Sequence, residues 1–275
     1  NIYVDDLALK TALKNNGYAV EIIAWDDEGY DFSRARLAII RSCWDYDQRV
    51  DEFLQKMRNI SQYCKLINSL AVITGNSNKY YLRDLESKGI RIVPVAFVEN
   101  IGQVITVLRG LEVKQIVIKP VVSASGRDTY LVNREDEDSV IEVAAPILRT
   151  KGVMLQPYIS TIKTLGEKST VVIDGTPVYT MLKKPAEGNF LVHQHHGGTY
   201  VETQIGAEEQ EFVKQIISTF TERPVYMRID YLFDEKEEPM LLELELIEPN
   251  LYLSKSELAL KGLTEKLAEI INNLL

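Results

Sequence analysis

Cysteine and histidine are scarce in this chain, and long apolar runs are missing. The two cysteines, Cys43 and Cys64, each sit in an apolar, strand-like stretch without metal-ligand spacing. That excludes a disulfide framework or a zinc cage and leaves them reduced and structural. No apolar run approaches the roughly 20 residues of a membrane-spanning helix, and no signal-peptide pattern is present, so a cytoplasmic protein without a membrane partner is expected. A basic excess is absent too. With 31 Lys and Arg against 40 Asp and Glu, the net charge of −9 argues against a surface that grips nucleic acid or anionic lipid as a whole. Any polyanionic ligand must be held locally, by individually placed cations. Neither GxxxxGK[ST] nor GxGxxG occurs, which disfavours the nucleotide folds built on those loops. The sequence opens on Asn1 rather than Met, and Ile2-Tyr3-Val4 is too short for a strand, which leaves open that a first strand has been cut away.

At 275 residues the chain exceeds one compact domain, and two or three packed units around a cleft are expected. Residues 5–17 read as an amphipathic helix ending at Gly17, followed by strands at 19–25 and 37–40, a helix at 51–63 and a strand at 65–68. Alternation of this kind indicates a parallel α/β layer. The polar break Gly75-Asn76-Ser77 closes that first unit, residues 1–75. A helix from Asn78 to Ser87, stopped at Gly89, a strand at 92–98, a helix ending near Gly110, strands at 115–120 and 129–132 and a helix at 136–149 make a small α+β lobe, 76–156. The remainder, 157–275, is strand-rich, with a closing hairpin and helices at about 207–221 and 255–273. An exposed apolar helix at the C-terminus would hint at a homodimer.

In the hairpin, residues 227–233 are answered by 240–246. With the turn centred on Lys236 and Glu237, Asp230 faces Glu243 and Arg228 faces Glu245. Side chains alternate along strands, so these four share one face, while Ile229, Tyr231, Leu242, Leu244 and Leu246 line the other. Opposed carboxylates repel each other. A divalent cation such as phosphate-bound Mg²⁺ would hold them together, and a solvated edge face is the alternative. Lys119 ends a β-branched strand and is followed by Ser123-Ala124-Ser125-Gly126-Arg127. Small residues let backbone N–H groups approach a phosphate chain, with Lys119 and Arg127 supplying charge; a plain glycine turn is the other reading. Lys79 opens a helix, an unfavourable place for a lysine unless an anion is near.

Lys79, Lys119, a small-residue loop and three late acids, in that order, resemble the ATP-grasp superfamily, in the branch of bacterial glutathione synthetase and the cyclo-ligase of cycloserine biosynthesis. The resemblance covers nearly the whole chain. It is carried most specifically by Arg41-Ser42-Cys43-Trp44-Asp45-Tyr46, by 119–127 and by Glu243-Leu244-Glu245-Leu246-Ile247-Glu248-Pro249. It implies an ATP-grasp fold of α/β (α+β) class, with an N-terminal parallel pre-ATP-grasp layer and two α+β lobes whose antiparallel sheets hold ATP between them. By the same resemblance Lys79 and Lys119 reach the phosphates, while Gln156, Tyr158 and Ile159 meet the adenine edge. Glu167 falls at the ribose ligand, and Lys183, often Arg in relatives, at the terminal phosphate. Asp230, Glu243 and Glu245 match ligands of Mg²⁺, with Mn²⁺ as the alternative ion; Glu245 stands where glutathione synthetase carries an Asn.

The implied activity is an ATP-dependent carboxylate–amine ligase that forms an amide through an acyl phosphate, acting on an amino acid, a peptide or a similar small molecule. A phosphotransferase acting on a hydroxyl and a non-catalytic MgATP-binding module are the rivals. An acyl phosphate must be kept from water, and glycine-flanked residues 188–198 are the candidate lid. All three histidines, His193, His195 and His196, lie there, as substrate contacts, proton acceptors, solvated residues or, with no fourth ligand evident nearby, zinc ligands. Arg228 is expected to grip the carboxylate or acyl phosphate, a structural pair with Glu245 being the alternative. Arg41, Ser42 and Asp45, just past a strand end, and Asn250, past Pro249, are expected to read the substrate, with Trp44 and Tyr46 as packing residues.

Overall fold

The first layer forms because helix α1 (Val4–Asn15) presents Leu9 and Leu13 one turn apart, and α2 (Val50–Ile60) presents Phe53, Met57 and Ile60. Strands β1 (Leu37–Ile39) and β2 (Lys65–Ile67) pair in parallel, as expected. The computed structural model describes residues 2–274, apart from the side chain of His195. Asn1, and with it the expectation of a strand lost before it, lies outside them. Residues 19–25 are not a strand: the β1–β2 sheet has two members only, so this apolar stretch has no ladder to join.

The polar break at 75–77 begins inside a helix. Helix α3 (Leu70–Asn76) runs into it, and Asn76 docks the hairpin, its amide donating to the Leu244 carbonyl (2.8 Å) and its oxygen accepting from the Leu246 N–H (2.9 Å). Helix α4 (Tyr81–Ser87) starts two residues past Lys79. Lys79 therefore does not open a helix; its N–H is tied to the Val121 carbonyl at 2.8 Å, and the helix-dipole argument for it lapses.

The middle sheet has the order β3 (Ala96–Val98), β6 (Val153–Pro157), β4 (Gln115–Pro120), β5 (Tyr130–Asn133), all antiparallel. Helices α5 (Ile101–Gly110) and α6 (Glu137–Leu148) cover one side, burying Val104, Leu108, Val140 and Ala144 against Ile116 and Ile118. The expected strand at 92–98 is shorter because its first residues pair elsewhere: Val93 donates to the Leu241 carbonyl at 2.8 Å and so ties the middle sheet to the last one.

The last sheet has the order β11 (Pro239–Glu245), β10 (Tyr226–Phe233), β7 (Glu167–Ile173), β8 (Thr176–Lys184), β9 (Thr199–Thr203). Helix α7 (Ala207–Ser218) packs Phe212, Val213 and Ile216 against one face, where Ile229, Tyr231 and Leu244 meet them. Helix α8 (Glu257–Asn272) lies against α1, β7 and β8. Its Ala259, Leu263 and Leu267 are buried within the chain, so this apolar stripe is already covered. Among the described residues no helix is long and apolar enough to cross a membrane.

The hairpin register agrees with the sequence at the acidic end, where Arg228 pairs with Glu245 and Asp230 with Glu243. Nearer the turn, Tyr231 pairs with Leu241, so Leu242 is an extra residue, a β-bulge. Leu242 consequently leaves the face expected for it and packs with Leu232 and Met240 on the cavity side.

Candidate active site

A cavity of about 420 Å³ opens between the middle and last sheets. One part of its wall is apolar, with Val93, Ile162, Leu232 and Leu242 beside Tyr158 and Ile159 at the exit of β6. Gln156 lines it too; the residue is 2% exposed and its amide nitrogen has no partner among the described residues, a donor available to a ligand. A flat apolar slot beside an open donor and strand-end backbone suits a heteroaromatic ring.

The opposite part is charged. Lys79, buried, donates to the Ser123 carbonyl (2.9 Å) and hydroxyl (3.3 Å) and pairs with Glu243 at 2.9 Å. Lys119 is buried beside it, and burial, with help from Lys79, holds its ammonium below the usual lysine value. Two lysines facing small residues 123–126, with Ser125 and Gly126 at positive φ, make an anion cradle. Arg127 is not part of it. Its guanidinium turns to buried Asp47, 2.6 Å away, which also accepts from the Ala124 N–H at 3.3 Å; Arg127 therefore holds the loop and does not line the cavity.

Glu167 is the first residue of β7, buried, and bonded to Lys183 at 2.9 Å. Burial raises its carboxyl. Lys183 stays charged: although burial works against it, Asp230 and Glu167 raise its ammonium well above the ordinary value. Arg228 forks onto Asp230, with Nε–Oδ1 at 2.8 Å and Nη2–Oδ2 at 2.7 Å, and also meets Glu245 at 2.5 Å. Ser169 donates to Asp230 at 2.5 Å. Against burial, Arg228 and Lys183 hold Asp230 below the carboxylate range. Glu243 is likewise lowered, by Lys79 and Lys119 against burial, whereas burial carries Glu245 up to about 7.

Among the described residues no group of three His, Cys, Asp or Glu side chains stands arranged as a metal cage. The donor set still suits magnesium, which keeps waters and is held through one or two carboxylates plus substrate phosphates. Glu243 and Glu245 are the acids with open flanks, 27% and 30% exposed against 6% for Asp230. Both border the cavity.

The remaining expected residues divide. His193 lines the cavity and packs on the loop, its Cε1 lying 2.9 Å from where a Cβ on Gly126 would stand, so segment 188–198 lies over the cradle. The His195 side chain falls outside the described residues. Asn250 borders the cavity, but its side chain is engaged by the Tyr3 hydroxyl (2.8 Å) and the Tyr252 N–H (2.9 Å). Arg41, Ser42 and Asp45 do not reach the cavity. Arg41 pairs with Asp6 at 3.4 Å and donates to the Pro249 carbonyl at 2.8 Å, while Asp45 accepts from the Trp25 indole at 3.1 Å. Trp44 and Tyr46, read as packing residues, line it instead, together with Tyr3, Glu248 and Tyr252, which the sequence did not single out.

Residues 88–235 match the family described as prokaryotic glutathione synthetase, ATP-grasp domain, and residues 1–68 match that described as D-cycloserine synthetase DcsG, N-terminal domain. The cycloserine biosynthesis protein DcsG of Streptomyces lavendulae is 26% identical over 280 residues, covering 95% of this chain and 92% of the relative. Glutathione synthetase of Agrobacterium fabrum is 28% identical over 126 residues, 45% of this chain and 39% of the relative. The crystal structure of D-cycloserine synthetase DcsG superposes with a TM-score of 0.89 at 24% identity, over 97% of this chain and 94% of that one. The ATP-grasp ligase PsnB, solved with a phosphomimetic variant of its minimal precursor, Mg and ADP, gives 0.66 at 13% identity over 98% and 94%. With a two-lysine cradle facing a row of hairpin acids, and the glutathione synthetase match running over more than half of the chain, from the middle sheet through β10 of the last, this chain belongs to the ATP-grasp family of the prokaryotic glutathione synthetases.

Proposed function

We propose that the protein is an ATP- and magnesium-dependent ligase that joins a small-molecule or peptide carboxylate to an amine through an acyl phosphate. The carrying observation is one cavity in which Lys79, Lys119 and residues 123–126 face Glu243 and Glu245, with an apolar slot alongside. The adenine would occupy that slot against Tyr158, Ile159 and Leu242, with Gln156 donating to it, and Glu167 would meet the ribose. Lys79, Lys119 and the N–H groups of Ser125 and Gly126 would bind the phosphates. Glu243 and Glu245, with Asp230 behind them, are the residues that would hold magnesium. When bound, that ion neutralises phosphate charge and aligns the oxygens.

Phosphoryl transfer asks little of side chains beyond alignment and charge neutralisation. The substrate carboxylate attacks the terminal phosphorus and ADP leaves; the amine then attacks the acyl carbon and phosphate departs. Lys183 and Arg228 meet the negative charge that moves between these groups. Segment 188–198, resting on Gly126 through His193, excludes water from the acyl phosphate. The chain then divides into a pre-ATP-grasp layer (1–75), a small nucleotide lobe (76–156) and a large catalytic lobe (157–275), working in the cytoplasm. Hydroxylamine tests the reading. With MgATP and a panel of amino acids and peptides, an acyl phosphate is trapped as a hydroxamate with ADP release; ADP release without hydroxamate would make the protein a phosphotransferase.

A further inference from the structure

Tyr252 stands in a conformation that an aromatic residue rarely takes. Its φ is 52°, in the left-handed region where a Cβ crowds the following carbonyl. The fold over-determines it. The Asn250 side chain accepts its N–H at 2.9 Å, and its carbonyl accepts from the N–H groups of Lys255 (2.9 Å) and Ser256 (3.0 Å). Asp5, 1% exposed in the first turn of α1, receives the N–H groups of Leu253 at 2.9 Å and Ser254 at 3.0 Å, and the Ser254 hydroxyl at 2.6 Å. Strain kept in place by so many bonds marks a side chain that is needed where it stands.

It stands at the transfer end of the cavity. The Tyr252 ring borders the cavity and packs on Tyr179, 5.8 Å between centroids. Tyr200 lies edge-on to it at 6.5 Å, with the Lys183 ammonium 5.7 Å from the Tyr200 ring. After burial, the charges that act most on the phenol are Lys183 and Arg228, and it acts on both of them in turn. Burial prevails and pushes the phenol up to about 12, so at neutral pH Tyr252 is an uncharged O–H donor beside two cations. A cation binds a carboxylate at full strength before any reaction. An uncharged donor gains most when the oxygen it faces takes on charge, and only such a gain speeds a reaction.

We propose that Tyr252 is a catalytic residue of amide formation: its hydroxyl donates to the carboxyl oxygen that stays on carbon while the other oxygen carries the phosphoryl group. This rests on the ligase reading above and adds a donor to it. As the amine nitrogen bonds to the acyl carbon, the C=O electron pair moves onto that oxygen. The pair returns as the C–O bond to phosphate breaks, and the proton shed by nitrogen leaves with the phosphate as hydrogenphosphate. Lys183 and Arg228 hold the phosphoryl oxygens while Tyr252 meets the charge on the acyl oxygen.

Tyr252→Phe keeps the ring, its packing on Tyr179 and the backbone bonds, and removes the hydroxyl alone. Rapid quench of the full chain with MgATP, hydroxylamine and whichever carboxylate of the panel above yields most hydroxamate separates the two steps. First-turnover ADP release is expected to stay within about threefold of the wild type and hydroxamate formation to slow about a hundredfold, the usual loss with one oxyanion donor. A Tyr252→Phe protein that makes hydroxamate at the wild-type rate, or that slows equally in both steps, overturns the proposal while the ligase reading stands. A wild type that makes no hydroxamate with any carboxylate sinks the ligase reading, and the role of Tyr252 with it.

Discussion

Asp47 belongs to the first layer, yet it governs a loop of the middle lobe. Its carboxylate is 1% exposed, 2.6 Å from the Arg127 guanidinium and 3.3 Å from the Ala124 N–H. Asp47→Asn keeps the shape and one acceptor but turns an ion pair into a bond between a charged donor and a neutral amide oxygen. Such bonds differ by about 1 kcal/mol, at the lower end here because Arg127 is 38% exposed and water shares it. If the loop must be closed to bind phosphate, that loss raises the KM for MgATP about fivefold and speeds tryptic cleavage after Arg127 by a similar factor. The Lys151 bond to the Asp47 carbonyl, 2.8 Å, survives the change, so the layer stays docked. Arg127→Met, which removes that tryptic site, should raise the KM for MgATP by the same factor, and the double variant should raise it little more than either change alone. An unchanged KM with additive losses of thermal stability would refute the idea that the loop is held from outside its own lobe.

Three further outcomes are expected. Glu243→Gln removes a carboxylate from the magnesium set and should abolish MgATP turnover with the circular dichroism spectrum unchanged; full activity would contradict its assignment. Gly126→Ala meets both a φ of 70° and a Cβ 2.9 Å from His193, so turnover should fall at least tenfold and protease cleavage within 188–198 should rise; wild-type protection would show that the lid does not rest on this glycine. Glu248 is about 8 when folded against an ordinary 4.5, so between those values the folded form holds the extra proton. The ligand-free protein therefore loses stability as pH climbs through that window, and Glu248→Gln should flatten the urea-midpoint profile there; parallel profiles would exclude the effect.

Alternation along strands made the acidic end of the hairpin readable, because Asp230, Glu243 and Glu245 follow a period of two. The bulge was not readable, since Met240-Leu241-Leu242 is uniformly apolar and no residue in it marks which side chain is extra. Residues 19–25 have the composition of a strand, but a strand exists only when a neighbour completes its hydrogen bonds, and that neighbour is not encoded locally. Lys79 and Lys119 stood out through their company with a small-residue loop. Arg127 stood out equally, and its diversion to Asp47 depends on a contact 80 residues away in sequence. Within 41–46 the polar residues drew attention by chemistry, whereas the cavity is bordered by Trp44 and Tyr46; Arg41 turns to Pro249 and Asp6, and Asp45, exposed, accepts from Trp25.

The extra residue at Leu242 resets the parity of its strand. In a regular ladder continued from the turn, Met240, Leu242 and Leu244 would point one way and Leu241, Glu243 and Glu245 the other, so a strand could offer the cavity either its apolar side or its acids. With the bulge, β11 supplies both in succession, grease first and carboxylates after. Excising Leu242 would thus straighten the ladder, Tyr231–Leu241 running directly into Asp230–Glu243, so both acids would keep their face and only the slot would lose an apolar side chain; flattening the bulge with Leu242 kept would instead steer two acids toward the packing surface under α7, a graver injury than losing either acid alone.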